Sequence, residues 1–253
     1  MKNIATILII LTSLKAISQS GFQMKVTYKE KLNFYIPVNK VTQLVFNSTQ
    51  SYYVEKHSTE DLNKKNITTV IKYNNKFSKI INVDLKRDSI FMKVLLNEKF
   101  FLVQERLSKI AWKIHTKIND TILGYKSTKA TGYFRGRTYT AWFTEEIPTK
   151  FGPWKLNGLP GLILEVKDNL NQVQFIAEKI EFIKKNNLGF NLHKKNTKYS
   201  KISLKEFSEK LNENVKSKMQ QIISRLPKGS KAINIKLKKH SGLEIKYEWE
   251  EQL

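Results

Sequence analysis

The side chains best suited to chemistry are gathered between Tyr133 and Trp154. Arg135-Gly136-Arg137 is flanked by Tyr133 on one side and by Tyr139, Trp142 and Phe143 on the other, with Trp154 a little further on. Aromatic rings around a concavity bind apolar matter, and guanidinium groups at its rim would take an anionic headgroup or a partner's carboxylate. The same residues could instead be the core of a sheet, with the arginines solvating a turn.

Bond-breaking chemistry has no such nominee. There is no Gly-x-Ser-x-Gly elbow, no His-Glu-x-x-His and no Walker-type loop. The histidines at positions 57, 115, 193 and 240 have no second histidine at metal-binding spacing, so no metal site is expected. Glu145 and Glu146 are adjacent, and on a strand they would point to opposite faces rather than cooperate as an acid and a base. Cysteine is absent, which removes thiolate nucleophiles, thiolate metal ligands and disulfides together. No cofactor and no catalytic residue is expected; the chain reads as a binding protein rather than an enzyme.

The elements that must position these residues are mostly strands. Met24, Val26 and Tyr28 alternate with Lys25, Thr27 and Lys29, the period of a strand with one wet face. Similar patterns cover residues 44–46, 52–54, 79–85, 89–96 and 99–105, broken by Lys86-Arg87-Asp88 and Asn97-Glu98. Residues 58–75 are polar and aperiodic, which predicts a long loop with at most a short strand at 68–73. Asn119-Asp120 reads as a turn. Runs at 126–134 and 138–144 predict a hairpin around Arg135-Gly136-Arg137, with Ala130 and Gly132 leaving room for Trp142. A second hairpin is expected at 162–167 and 172–180.

One long helix follows. Ser203 and Glu206 form a capping-box pair, and Leu204, Phe207, Leu211, Val215, Met219, Ile222 and Leu226 recur at helical spacing until Pro227. That stripe predicts a helix docked on the sheet. Alternation from Ile233 to Trp249 around His240-Ser241-Gly242 predicts a terminal hairpin.

The segment Gly158-Leu159-Pro160-Gly161-Leu162-Ile163 combines two glycines, a proline and the start of an apolar run, which describes a sharp loop entering a sheet. An anion nest would want more exposed N–H groups and less apolar surface. Leu159 and Leu162 could plug the core or form the lip of an apolar pocket. The hexapeptide spells the motif of the GLPGLI family, and Gly124-Tyr125-Lys126, the run from Phe134 to Thr144, Glu146-Ile147-Pro148 and Gly152-Pro153-Trp154 resemble that family's lead-in. The resemblance covers about residues 112–166. It implies an exported protein of a Gram-negative envelope, without implying an activity. Ser127 stands where many members carry cysteine, so a redox role there is lost.

The strand order through Trp142, Ile147-Pro148 and the motif is also similar to the lipoprotein-carrier type of fold. The expected fold is therefore mainly β (α+β): an open antiparallel half-barrel with one long amphipathic helix.

The first eighteen residues have the layout of a signal peptide: Lys2, an apolar run over 4–14, and Ala16-Ile17-Ser18 as a cleavage site. The run is too short to span a bilayer, and no cysteine follows for lipidation, so the expectation is a periplasmic or secreted protein with one domain over 19–253 and no transmembrane segment after cleavage. Lys and Arg outnumber Asp and Glu by 45 to 22. Export disfavours nucleic acid as the partner of this charge and favours anionic headgroups or an acidic protein surface, unless the lysines merely solvate the exterior. Two functions are compatible with these features. One is non-enzymatic binding of a lipid-like, apolar or amphipathic ligand in the cup; the other is a structural accessory of an outer-membrane transport or secretion assembly. No oligomeric state follows from the sequence.

Overall fold

The computed structural model describes residues 22–56, 79–184, 199–225 and 242–250. Its strands are β1 (Phe22–Asn33), β2 (Pro37–Phe46), β3 (Gln50–Lys56), β4 (Ile80–Asp84), β5 (Ser89–Leu96), β6 (Lys99–Arg106), β7 (Lys113–Ile122), β8 (Tyr125–Phe134), β9 (Arg137–Thr144), β10 (Leu162–Asp168), β11 (Val173–Lys184) and β12 (Ser200–Ser203). They form one open sheet in the order β12-β6-β5-β4-β3-β2-β1-β11-β10-β9-β8-β7. Every pairing is antiparallel except β12 with β6. The mainly-β open sheet with one long helix is the architecture expected.

Period-2 alternation decides which face is buried. Val26, Tyr28, Glu30 and Leu32 on β1 share a face with Leu44, Tyr53, Ile81, Met92 and Val103 on one side and with Phe175, Val166, Ala141 and Tyr139 on the other. These apolar residues belong to one continuous core. The curvature follows from a distance. Eight strand spacings separate β6 from β9 in the sheet order, roughly 40 Å along a flat sheet. Arg135, in the turn before β9, nevertheless holds Glu105 of β6 at 2.6 Å. The sheet must therefore curl into a half-barrel.

Residues 145–161 and 242–250 fill the concave side, placing Phe151, Trp154, Leu156, Leu159 and Tyr247 in the core. A smaller apolar cluster, Val54, Ile80, Phe91 and Leu102 with Tyr52 and Tyr199 against it, lies on the opposite face.

Several local expectations are corrected. Asn119-Asp120 is not a turn: β7 runs on to Ile122, with a register shift between His115 and Asn119, and the chain turns at Leu123-Gly124. The β8–β9 connection has two residues, Arg135 and Gly136, both at positive φ as a type I′ turn requires, and Arg137 belongs to the strand. The space over Gly132 is taken by Trp112, not Trp142: a Cβ there would lie 2.7 Å from the Trp112 ring. Residues 248–250 form a 3₁₀ turn rather than a strand. The loop over 58–75 and the first half of the terminal hairpin lie outside the described residues.

The helix α1 (Leu204–Ser224) has the expected capping box, with Ser203 and Glu206 bonded reciprocally. Its stripe does not dock as expected. Leu204 is buried and Phe207 half-buried, but Leu211 and Val215 are each about 41% exposed and Ile222 is 59% exposed. Of the stripe, Leu204 and Phe207 pack on the core, while the later turns leave their apolar residues exposed.

Candidate functional site

The residues nominated from the sequence come together only in part. Tyr139, Phe143, Trp154, Leu159 and Leu162 are packed in the core at 0–2% exposure, whereas Tyr133 is exposed and Trp142 half-buried. Leu159 and Leu162 are thus core plugs. In the motif only Gly158 and Pro160 reach the surface, while Gly161 and Ile163 are buried with the leucines. Arg135 and Arg137 are not rim residues: both guanidinium groups are buried in ion pairs.

These pairs, together with residues the sequence did not single out, form the most distinctive polar constellation described. Arg135 donates to Glu105 at 2.6 Å, Glu244 at 2.5 Å and Glu248 at 2.8 Å. Lys155, with a side chain 0% exposed, faces Glu105 at 2.5 Å and Glu244 at 2.7 Å. Two cations and two carboxylates thus alternate in a buried ring, with Glu248 at its outer edge. Arg137 pairs with Asp168, donates to Gln172 at 3.1 Å, and reaches the carbonyls of Gly242 at 2.5 Å and Leu243 at 3.2 Å. Asp168 also accepts from the backbone of Gln172 and Val173.

Local structure explains the positions. Positive φ at Arg135 swings its side chain off the β8–β9 turn into the cup, and Ile245 and Lys246 donate to its carbonyl. Trp154, also at positive φ, precedes Lys155 in the loop that crosses the cup. Residues 242–250 are therefore fastened by ion pairs through Glu244 and Glu248 and by carbonyls through Gly242 and Leu243.

A second polar line crosses β1 to β3. The Tyr53 hydroxyl donates to Glu30 at 2.6 Å and lies 2.8 Å from Thr42, and Lys40 bridges Glu30 and Glu55. Half-buried Lys79 stands between the two groups; burial, then Lys40, pulls its ammonium below the usual lysine range. Tyr139 is fully buried, and its hydroxyl has no hydrogen-bond partner among the described residues.

This arrangement binds charge to charge. Burial works against the Glu244 carboxylate, but Lys155 and then Arg135 outweigh it and hold the group below the ordinary range. Burial likewise opposes the Arg135 cation, and Glu105 and Glu244 reverse it. A general acid needs its pKa pushed upward, so Glu244 is in the wrong state for that work. Among the described residues no group of three or more His, Asp or Glu is placed to hold a metal.

The family model described as "N-glycanase peptide, N-terminal domain" (PNGase F-II) matches residues 26–206. No curated protein matches the chain. Among solved structures, two crystal forms of PNGF-II are similar at 17% identity, with TM-scores of 0.54 and 0.52. Each match covers 76% of this chain and 33% of that one, so the chain aligns with about a third of PNGF-II. A LolA superfamily protein from Nitrosomonas europaea is similar at 10% identity and a TM-score of 0.28, over 68% of this chain and 90% of its own.

Proposed function

This chain belongs to the N-glycanase peptide, N-terminal domain family, and from that premise we propose that it is a non-enzymatic interaction module that acts through its outer surfaces. The observation that carries the proposal is the closed cup: residues 145–161 and 242–250 occupy the concave face, and the charged groups inside it are paired with one another. Such groups hold a structure together and leave little for a substrate.

The glycan chemistry implied by the family's name is not carried over, because the similarity to PNGF-II spans a third of that protein and the buried carboxylates here are neutralised by Arg135 and Lys155. Export, read from the first eighteen residues, is part of the proposal. Among the described residues no helix is long and apolar enough to cross a membrane. The GLPGLI resemblance falls within the matched stretch, and we propose that its hexapeptide serves folding. An accessory role beside a larger envelope assembly suits such a module.

The rival reading, a lipid-like ligand inside the cup, is favoured by one observation: the concave face is largely apolar. It requires residues 242–250 to leave. Incubating the purified protein with an N-glycosylated peptide tests the non-enzymatic proposal. No glycan release is expected, and release abolished by Glu105→Gln or Glu244→Gln would overturn it.

A further inference from the structure

The β1–β2 hairpin ends in an apolar tip where turn chemistry favours Gly, Asn, Asp or Ser. Phe34 tucks under Arg137, with the guanidinium carbon 5.6 Å from the ring centre. The next two side chains project outward: Tyr35 is 101% exposed and Ile36 71%. Beside them Leu170, at the tip of the β10–β11 hairpin, is half exposed. The two hairpins are joined, since Asn33 donates from its backbone to Gln172 at 2.8 Å and from its side chain to Asn171 at 3.2 Å. No packing need of the fold explains apolar side chains at these points.

Directly behind the tips lies a row of cations. Lys31 of β1 is paired in register with Gln174 of β11, and Gln174 with Lys167 of β10, so the two lysines flank one glutamine on the outer face. Lys29 stands two residues behind Lys31 on that face. None of the three makes an ion pair among the described residues. Of the carboxylates close by, Asp168 is neutralised by Arg137 and Glu30 by Lys40; Glu165, which accepts from the neutral Gln174 amide at 3.0 Å, keeps its charge beside Lys167, so three cations face one carboxylate there. The rim therefore presents protruding apolar tips backed by an excess of positive charge, on a chain of formal charge +23.

We propose that this rim docks on an anionic lipid bilayer, with Tyr35, Ile36 and Leu170 entering the headgroup and acyl boundary and Lys29, Lys31 and Lys167 lying over the anionic headgroups. A protein partner fits less well, because a stable protein interface needs a broad face and two narrow tips supply none. A bilayer accepts protruding side chains at any azimuth, and basic residues next to a shallow apolar insertion give it affinity for negative lipid. The inference does not depend on the closed cup.

The test is sedimentation of the exported protein with vesicles of phosphatidylethanolamine and phosphatidylglycerol (3:1), against vesicles of phosphatidylcholine alone. Binding to the anionic vesicles only, weakened by salt, is expected. Tyr35→Ser with Ile36→Ser should lower the partition coefficient about tenfold or more. Replacing the three lysines by Gln should lower it about fivefold per residue, and replacing them by Arg should preserve it. Circular dichroism melting should be unchanged in all of these variants. No binding, equal binding to both vesicle types, or anionic binding that well-folded tip variants retain would overturn the proposal; the last result would place the contact elsewhere, as would saturable capture of an acidic protein in place of vesicles.

Discussion

Gly161 approaches Thr144 so closely that a Cβ on the glycine would lie 2.0 Å from the threonine carbonyl oxygen and 2.5 Å from its carbonyl carbon. Both obstacles are backbone, and the backbone of Thr144 is paired in register with Leu162, so neither side can retreat without opening the β9–β10 ladder. Gly158 is required for a different reason: its φ is +97°, and a Cβ there would meet nothing closer than 3.9 Å.

The two glycines of the hexapeptide should therefore differ in cost. Gly161→Ala should destabilise the protein by at least about 3 kcal/mol, while Gly158→Ala should cost about 1–2 kcal/mol through backbone strain alone. Urea denaturation of both variants measures this. The reverse order would show that the close approach is not enforced.

Lys155 faces Glu105 and Glu244 inside the cup. Lys155→Met should cost about 3–5 kcal/mol, because it leaves two buried carboxylates with one cation between them. Adding Glu244→Gln should recover part of that loss, with a coupling of about 1 kcal/mol or more in a double-mutant cycle. Strict additivity would mean that the ring is not coupled.

Acid should loosen the same ring. Lys155 and Arg135 hold the folded Glu244 carboxylate below its ordinary range, so the unfolded chain takes up this proton first as pH falls. The resulting stability is fully present above about pH 4.3, the unfolded value, and is lost as pH drops through the folded value. Melting temperature followed from pH 7 to pH 3 should fall, and Glu244→Gln should flatten the lower part of that curve. An equally steep fall in the variant would place the acid sensitivity elsewhere.

The exposed stripe of α1 makes a separate prediction. Leu211→Ser should cost no more than about 0.5–1 kcal/mol, whereas Leu204→Ser, at the buried first turn, should cost about 2 kcal/mol or more. Ser203→Ala should remove about 1 kcal/mol by breaking the capping box. Equal losses at Leu204 and Leu211 would mean that the helix docks along its whole length.

Much of the strand pattern was legible because one wet face leaves a period of two, as in Val26, Tyr28 and their polar neighbours. The capping box was legible because it is local. β7 was missed because, as an edge strand exposed along nearly its whole length, Lys113–Ile122 has no buried alternation to read. β12 has four residues and gains its place only by pairing with distant β6. The helix stripe was overread: helical periodicity reports which residues could pack together, not whether a surface waits for them.

The ion ring was partly written in the sequence. Glu105 occupies an inward position of its strand, and Lys155 is the single charge between Phe151 and Leu156, so each was a polar group where an apolar one was due. Their pairing was not legible. Arg135, Glu105 and Glu244 meet only because the sheet curls, and a fold-wide curvature leaves no local signature.

That the cup is closed by its own chain is tested most directly by native mass spectrometry of the full-length protein purified from its own cells. The bare polypeptide mass is expected, with no apolar probe such as N-phenylnaphthylamine binding at a saturable site. A retained lipid-like mass, or a saturable probe site lost on substituting Tyr139 or Phe143, would contradict the closed cup and restore the concave face as a ligand site.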